Sequence, residues 1–186
     1  QMKAISNAGR EDGINIAMFY DNEEIGSKTK QGASSQVIML ILEKIYSALG
    51  FNRDRMLSDI FDGMMVSLDV AHALHPNSPE KSDKTNKVML NQGIVIKQAA
   101  SQSYANDAEG VAIVKSICNE LGIKWQVFVN RSDMPGGQTL GSIGSTVFPM
   151  RTIDVGISLL AMHSARELMG SDDENKLEKF LTGYYS

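Results

Sequence analysis

The sequence reads as an α/β fold, a mainly parallel sheet with helices on both faces. Two patterns carry that reading. Short apolar runs at Ile14–Tyr20, Gly63–Leu68, Gly93–Lys97 and Lys124–Val129 alternate with longer stretches of helical periodicity. The first run stops abruptly in Asp21-Asn22-Glu23-Glu24, as a buried strand does where it delivers polar groups beyond its carboxyl end. No repeat or low-complexity segment interrupts the alternation.

Taken in order, residues 1–5 read as the end of a helix already under way, stopped near Gly9, so the chain is expected to open inside a larger unit. After the first strand, Ser34–Leu49 is an amphipathic helix with Val37, Ile38, Ile41, Leu42, Ile45 and Leu49 on one face, closed by Gly50. The Gly63–Leu68 strand ends at Asp69, and Pro76–Asn86 is polar loop. Gly93–Lys97 is a third strand. Asp107 caps a helix that runs to Leu121 and ends at Gly122. Lys124–Val129 is a strand, followed by a glycine-rich loop over residues 130–144. Thr152–Val155 and Leu159–Met162 are short strands, Ala165 starts a helix, and Asp172–Leu181 is a charged surface helix. Chemistry in such sheets sits beyond the carboxyl ends of the strands. Here those ends carry Glu23, Glu24, Asp69, Lys97 and the Met162-His163 junction.

Composition narrows the function. The 186 residues suffice for one ordinary domain with a substantial core. With 42% hydrophobic and 22% charged residues, a net charge of -4 and no Lys/Arg run, the chain carries no nucleic-acid footprint. No apolar run approaches a membrane span, and the amino terminus has no signal-peptide pattern. The single cysteine, Cys118, lies in an apolar-periodic stretch and reads as a core residue; a reducing cytoplasm is the simpler compartment.

Four segments could carry chemistry. The adjacent carboxylates Glu23 and Glu24 repel unless a cation sits beside them, so they read either as an acidic turn or as a metal ligand beside a substrate-facing carboxylate. Asp69 followed by His72, and by His75 before Pro76, pairs an oxygen donor with imidazoles, although packed or capping histidines fit the same string. His163 is either a rigidly held ligand or a buried histidine satisfied by backbone. The segment Asn130–Thr146 lets backbone approach a ligand. It is not a phosphate loop, because Ser142 stands where the lysine of a Walker motif belongs.

In this order the segments resemble one family, the aspartyl aminopeptidase and vacuolar aminopeptidase I family of zinc exopeptidases. The matching strings are DNEEIGSKTKQGA (Asp21–Ala33), SLDVAHALHPN (Ser67–Asn77), NQGIVIK (Asn91–Lys97), VNRSDMPGGQTLGSIGST (Val129–Thr146) and AMHSARE (Ala161–Glu167). Each is weak alone; their joint order covers most of the chain. The resemblance implies two zinc ions, each bound by one histidine and one terminal carboxylate and bridged by an aspartate. It makes Glu24 a zinc ligand, Asp69 the carboxylate ligand of the other zinc, His163 a histidine ligand and Glu23 the general base. His72 and Lys97 fall at substrate-contacting positions. The mixed donor set also accepts Co or Mn. The implied activity is release of an acidic or neutral amino-terminal residue from peptides, by an enzyme that assembles as a dodecamer.

Glu24, Asp69 and His163 are fewer ligands than such a centre needs. The resemblance puts a further histidine and the bridging aspartate upstream. Residues 1–186 are therefore expected to be the carboxy-terminal portion of the catalytic domain, without the amino-terminal portion and an inserted lid or oligomerisation domain, and inactive alone. Ser103 and Ser82 depart from the family pattern, where a basic residue and a histidine are frequent. Two alternatives stay open: a non-catalytic half-domain, and a glutamyl-aminopeptidase-type zinc exopeptidase, against which the long Asn130–Thr146 string argues.

Overall fold

A computed structural model describes all residues from Gln1 to Ser186. Its centre is a five-stranded sheet ordered β1-β4-β2-β3, with β1 at Met64–His72, β2 at Ile94–Gln98, β3 at Trp125–Val129 and β4 at Arg151–Leu160; β5, Leu168–Met169, hangs on the far end of β4. β1 and β4 pair in parallel from Met64↔Arg151 to His72↔Leu159, and β2 and β3 pair in parallel from Ile94↔Trp125. The β2–β4 and β4–β5 contacts are antiparallel, which makes the sheet mixed, although most of its paired length is parallel. β4 is continuous where two short strands were expected. Its run Ile153–Leu159 is buried throughout, so nothing in the packing asks for a break.

The two faces of β4 divide the protein. On one face Ile153 and Val155 join Ile94 and Ile96 of β2. Against them pack Val111, Val114 and Cys118 of α4 (Ala108–Glu120), Phe180, Leu181 and Tyr185 of α6 (Ser171–Tyr185), and Ala4 of α1 (Met2–Asn7). Asp107 caps α4 as expected, its side chain accepting the Gly110 N–H at 2.6 Å. Burial pushes the Cys118 thiol from its ordinary value near 9 up to about 11. A thiol with a raised folded pKa contributes stability below its ordinary value, and that contribution is lost as pH rises from 9 towards 11. Cys118 is expected to resist alkylation at pH 8 until denaturant is added, and Cys118→Ala to flatten stability measured between pH 9 and 11.

The other face of β4 carries Thr152, Asp154 and Ser158, with Asp154 meeting Gly141 of α5 (Leu140–Val147), whose Gly144 faces Met65 of β1. The stretch read as glycine-rich loop thus ends in a helix: Gly141 and Gly144 are small enough to let it lie against β1 and β4, and local glycine content masked it. Helices cover both faces, as expected.

Other differences have similar causes. α2 (Val37–Ala48) buries only Leu42 and Tyr46 fully, against Met56 and Ile60 of α3 (Arg53–Asp62), a helix the sequence reading passed over. Val37, Ile41, Ile45 and Leu49, placed on the inward stripe from sequence, stay exposed. Ile14–Tyr20 is no strand here: it makes no ladder hydrogen bonds, and Phe19 is 64% exposed. From Ala161 to Ala165 the chain turns, and the final helix starts only at Ser171. That helix is not merely a surface element, because Phe180 and Leu181 anchor it in the core. No helix is long and apolar enough to cross a membrane.

α6 is also tied by a buried carboxylate. Asp173, fully buried in its first turn, accepts the backbone N–H groups of Asn91 at 2.7 Å and Gly93 at 2.8 Å just before β2. Asp173→Ala strands one buried donor, Gly93 N–H, and one partly buried donor, Asn91 N–H, and is expected to cost about 2 kcal/mol, read as a lower denaturant midpoint at unchanged m-value.

Candidate metal centre

The structure brings together residues far apart in sequence. Glu23 and Glu24 lie in a single 3₁₀ turn, Glu23–Ile25, rather than at a strand end. That turn is bracketed by non-glycine residues in the left-handed region, Asn22 (φ 59°) and Ser27 (φ 59°). Asn22 is steadied by Thr29 through a side-chain hydrogen bond of 3.0 Å, and Ser27 is fully buried. His163 sits in the turn after β4, not at a helix start, and it too is left-handed, at φ 67°, two residues after Ala161 at 58°. Such conformations cost on the order of 1 kcal/mol each and persist where surroundings enforce them. Glu167 is part of that enforcement, its Oε1 accepting the His163 backbone N–H.

These two strained turns meet. His163 Nε2 lies 3.1 Å from Glu24 Oε2, and both side chains are largely exposed. Two ligands of one tetrahedral zinc, with bonds of roughly 2.0–2.2 Å, stand about 3.3–3.6 Å apart, slightly wider than this pair. The pair therefore has nearly the spacing, and the donor types, imidazole and carboxylate, of half a zinc coordination sphere.

Asp69 lies inside β1, extended past the expected end at Leu68, and projects from the same sheet face as Lys97 of β2. The intervening strand offers a glycine: a Cβ on Gly156 would stand 2.0 Å from the Asp69 carbonyl oxygen, so only glycine fits between. Lys97 Nζ donates to Asp69 Oδ2 at 2.8 Å and to the Val70 carbonyl at 2.9 Å, and it lies 4.5 Å from the centroid of the Tyr104 ring. Its side chain is 5% exposed, whereas that of Asp69 is 34%.

Electrostatics links the two halves. The Glu23 carboxyl is pushed up by burial first, then by the negative charges of Asp69 and Glu24, against the pull of Lys97 and His163. The His72 imidazole is pushed down by burial, then by Lys97 and His163, against Asp69. All six residues singled out from sequence thus share one end of the sheet. His75 does not join them; its Nδ1 accepts the Asn77 N–H at 3.1 Å, a local turn role. No three His, Cys, Asp or Glu side chains come together closely enough to hold a metal ion on their own. The imidazole and carboxylate of His163 and Glu24 are donor types that suit zinc.

Three contributors were not picked from sequence. Glu167 was read only as part of a motif. Tyr104 gave no local signal. Asp154 did give one, as a lone acid inside the apolar run Thr152–Leu159.

A mixed α/β sheet that presents an imidazole–carboxylate pair beside a second carboxylate has the donor chemistry of a metallohydrolase. Comparison with known proteins specifies which. The model of the family described as Aminopeptidase I zinc metalloprotease (M18) matches residues 2–185, and the chain belongs to that family. It is 43% identical over 185 residues to "Probable M18 family aminopeptidase 2" of Clostridium acetobutylicum and 36% identical to the protein of that description in Mycobacterium leprae, in each case covering 100% of this chain and 43% of the relative. An M18 aminopeptidase structure from Thermotoga maritima superposes with a TM-score of 0.90 at 27% identity, covering 100% of this chain and 42% of that one. The S. cerevisiae mApe1 dodecamer matches at a TM-score of 0.76 and 33% identity, covering 89% and 36%. The chain thus spans less than half the length of the curated relatives it matches. Membership of this family sets aside the glutamyl-aminopeptidase-type alternative.

Proposed function

We propose that residues 1–186 are the carboxy-terminal portion of the catalytic domain of a two-zinc aminopeptidase, and that the complete polypeptide releases the first residue, acidic or neutral, from peptides. The observation that carries this reading is the 3.1 Å approach of Glu24, in a turn flanked by left-handed Asn22 and Gly26, to the left-handed His163 from the opposite end of the chain. In the proposal Glu24 and His163 hold one zinc and Asp69 belongs to the other, with further ligands from sequence outside this stretch; the same donor set accepts Co or Mn. The exposed apolar residues Val37, Ile41 and Ile45 of α2, on a helix apolar nearly all round, support a covering segment of that kind.

Bound zinc would supply Lewis acidity towards the scissile carbonyl and a water of lowered pKa. Glu23, its proton affinity already raised, takes the proton of the attacking water and passes it to the departing amine. His72, exposed at the end of β1 with its ring 6.4 Å from that of Phe128 between centroids, donates towards the carbonyl oxygen as negative charge builds there. Lys97 places a fixed positive charge beneath the substrate's first residue. Assembly into a homo-oligomer, a dodecamer as in the S. cerevisiae structure, and a cytoplasmic setting complete the proposal.

The test is metal content measured together with hydrolysis of aminoacyl chromogenic substrates. The complete polypeptide is expected to bind two zinc ions per chain and turn over. Residues 1–186 alone, with no three-donor cluster, are expected to bind at most one ion weakly and to be inactive. A complete polypeptide without zinc-dependent turnover contradicts the proposal.

A further inference from the structure

Asp154 is the residue the site's chemistry leaves unexplained. It is a fully buried carboxylate at the centre of β4, with no ion-pair partner of its own. Such a group is expensive to bury and persists only where it organises its surroundings. Its attachments are specific. The Asp154 backbone N–H donates to the Ala105 carbonyl at 2.9 Å, and its Oδ2 accepts the Ala105 N–H at 2.5 Å, so one residue grips both polar groups of another. The carboxylate also lies flat against Gly141 in the first turn of α5, where a Cβ would come within 2.5 Å of Oδ2. Across the β1–β4 ladder its register partner is Ser67, two residues before Asp69.

The clamp on Ala105 fixes the residue before it. Tyr104, 4% exposed, lays its ring over the Lys97 ammonium, and its hydroxyl accepts from Asn130 Nδ2 at 3.0 Å. The adjoining Ser103 carbonyl accepts the Thr139 N–H at 3.2 Å, which ties the same loop to the start of α5. Lys97 in turn grips Asp69. A continuous chain of contacts therefore runs from a buried acid to the proposed substrate face.

We propose that Asp154 is a positioning residue: by clamping Ala105 it holds Tyr104 on Lys97 and so fixes the Lys97–Asp69 pair at the floor of the substrate site. This rests on the aminopeptidase reading, and the experiment separates the two. Zinc-dependent turnover of the unaltered complete polypeptide is measured first; its absence sinks the underlying reading and says so independently of any variant. KM and kcat are then measured for Asp154→Ala, Asp154→Asn, Tyr104→Leu and Asp154→Ala with Tyr104→Leu together, alongside zinc content and circular dichroism.

Asp154→Ala is expected to raise KM about 10-fold or more, within the roughly 10- to 100-fold range seen when an outer support of a site is lost. Asp154→Asn is expected to stay within about 3-fold of the unaltered enzyme. Its amide oxygen still accepts from Ala105, while its NH₂ donates to Ser67 Oγ, which now lacks a partner as does Asp154 Oδ1. Tyr104→Leu is expected to reproduce the Asp154→Ala effect, and the double variant to be no worse than either single. The proposal is overturned if Asn impairs as much as Ala, if the two losses multiply, or if only thermal stability falls. Should Asp154→Ala not fold, Tyr104→Leu leaves the clamp intact and decides alone: an unchanged KM overturns the proposal.

Discussion

Glu23→Gln in the complete polypeptide is expected to lower kcat by about 10²- to 10⁴-fold, the range that a positioned general base contributes, and to leave zinc content and KM near their original values. The reason is the division of labour within one 3₁₀ turn. Glu24 faces His163 at 3.1 Å, whereas the neighbouring Glu23 makes no ion pair and instead feels Asp69, Glu24, Lys97 and His163 from a partly buried position. Burial and two like charges raise its proton affinity, which suits a group that must accept a proton and then release it. Glutamine keeps the shape and loses only the basicity. The opposite outcome, turnover retained with zinc lost, would exchange the roles assigned to the two glutamates.

His163→Ala is expected to remove one of two zinc ions and to lower kcat/KM by on the order of 10³-fold, the several kcal/mol that a metal lends to a polarised carbonyl. The loss should exceed that of an ordinary surface histidine because the His163 backbone is left-handed and hydrogen-bonded to Glu167, which fixes the direction of the imidazole towards Glu24. Asp69→Asn makes an informative contrast. It should weaken the other ion and also release Lys97 from its 2.8 Å ion pair, so the substrate dependence should change with metal content, whereas in His163→Ala it should not. Retention of both ions in His163→Ala would contradict the pairing of Glu24 with His163.

The sequence was legible where local chemistry and burial agreed. The Asp107 cap, the apolar cores of β2 and β3 and the periodicity of α4 are found within a residue or two of their expected bounds. It was less legible where tertiary packing overrode local signals. The glycines that suggested a loop before Gly144 are what allow α5 to lie against the sheet. The seven-residue run Ile14–Tyr20, apolar but for Asn15, looks like a strand, yet a strand needs neighbours, and in these 186 residues the segment finds no ladder. α2 was assigned one buried stripe, but it has apolar residues on nearly every side and covers only one of them. For the site, motif order brought Glu23, Glu24, Asp69, His72, Lys97 and His163 to notice. Their geometry was not readable, since the left-handed turn at His163 follows from what happens around Ala161–Glu167 after β4 ends. Tyr104 and Asp154 act through contacts between distant strands and loops, and no spacing rule reports those.

The most direct test is diffraction from the complete polypeptide at the zinc absorption edge. The account predicts two anomalous peaks about 3.5–4 Å apart, one bonded to Glu24 and His163 at roughly 2.0–2.2 Å and the other to Asp69, with Glu23 beside them and bonded to neither. Peaks elsewhere in the protein, or a zinc bonded through Glu23 with Glu24 turned away, would contradict it.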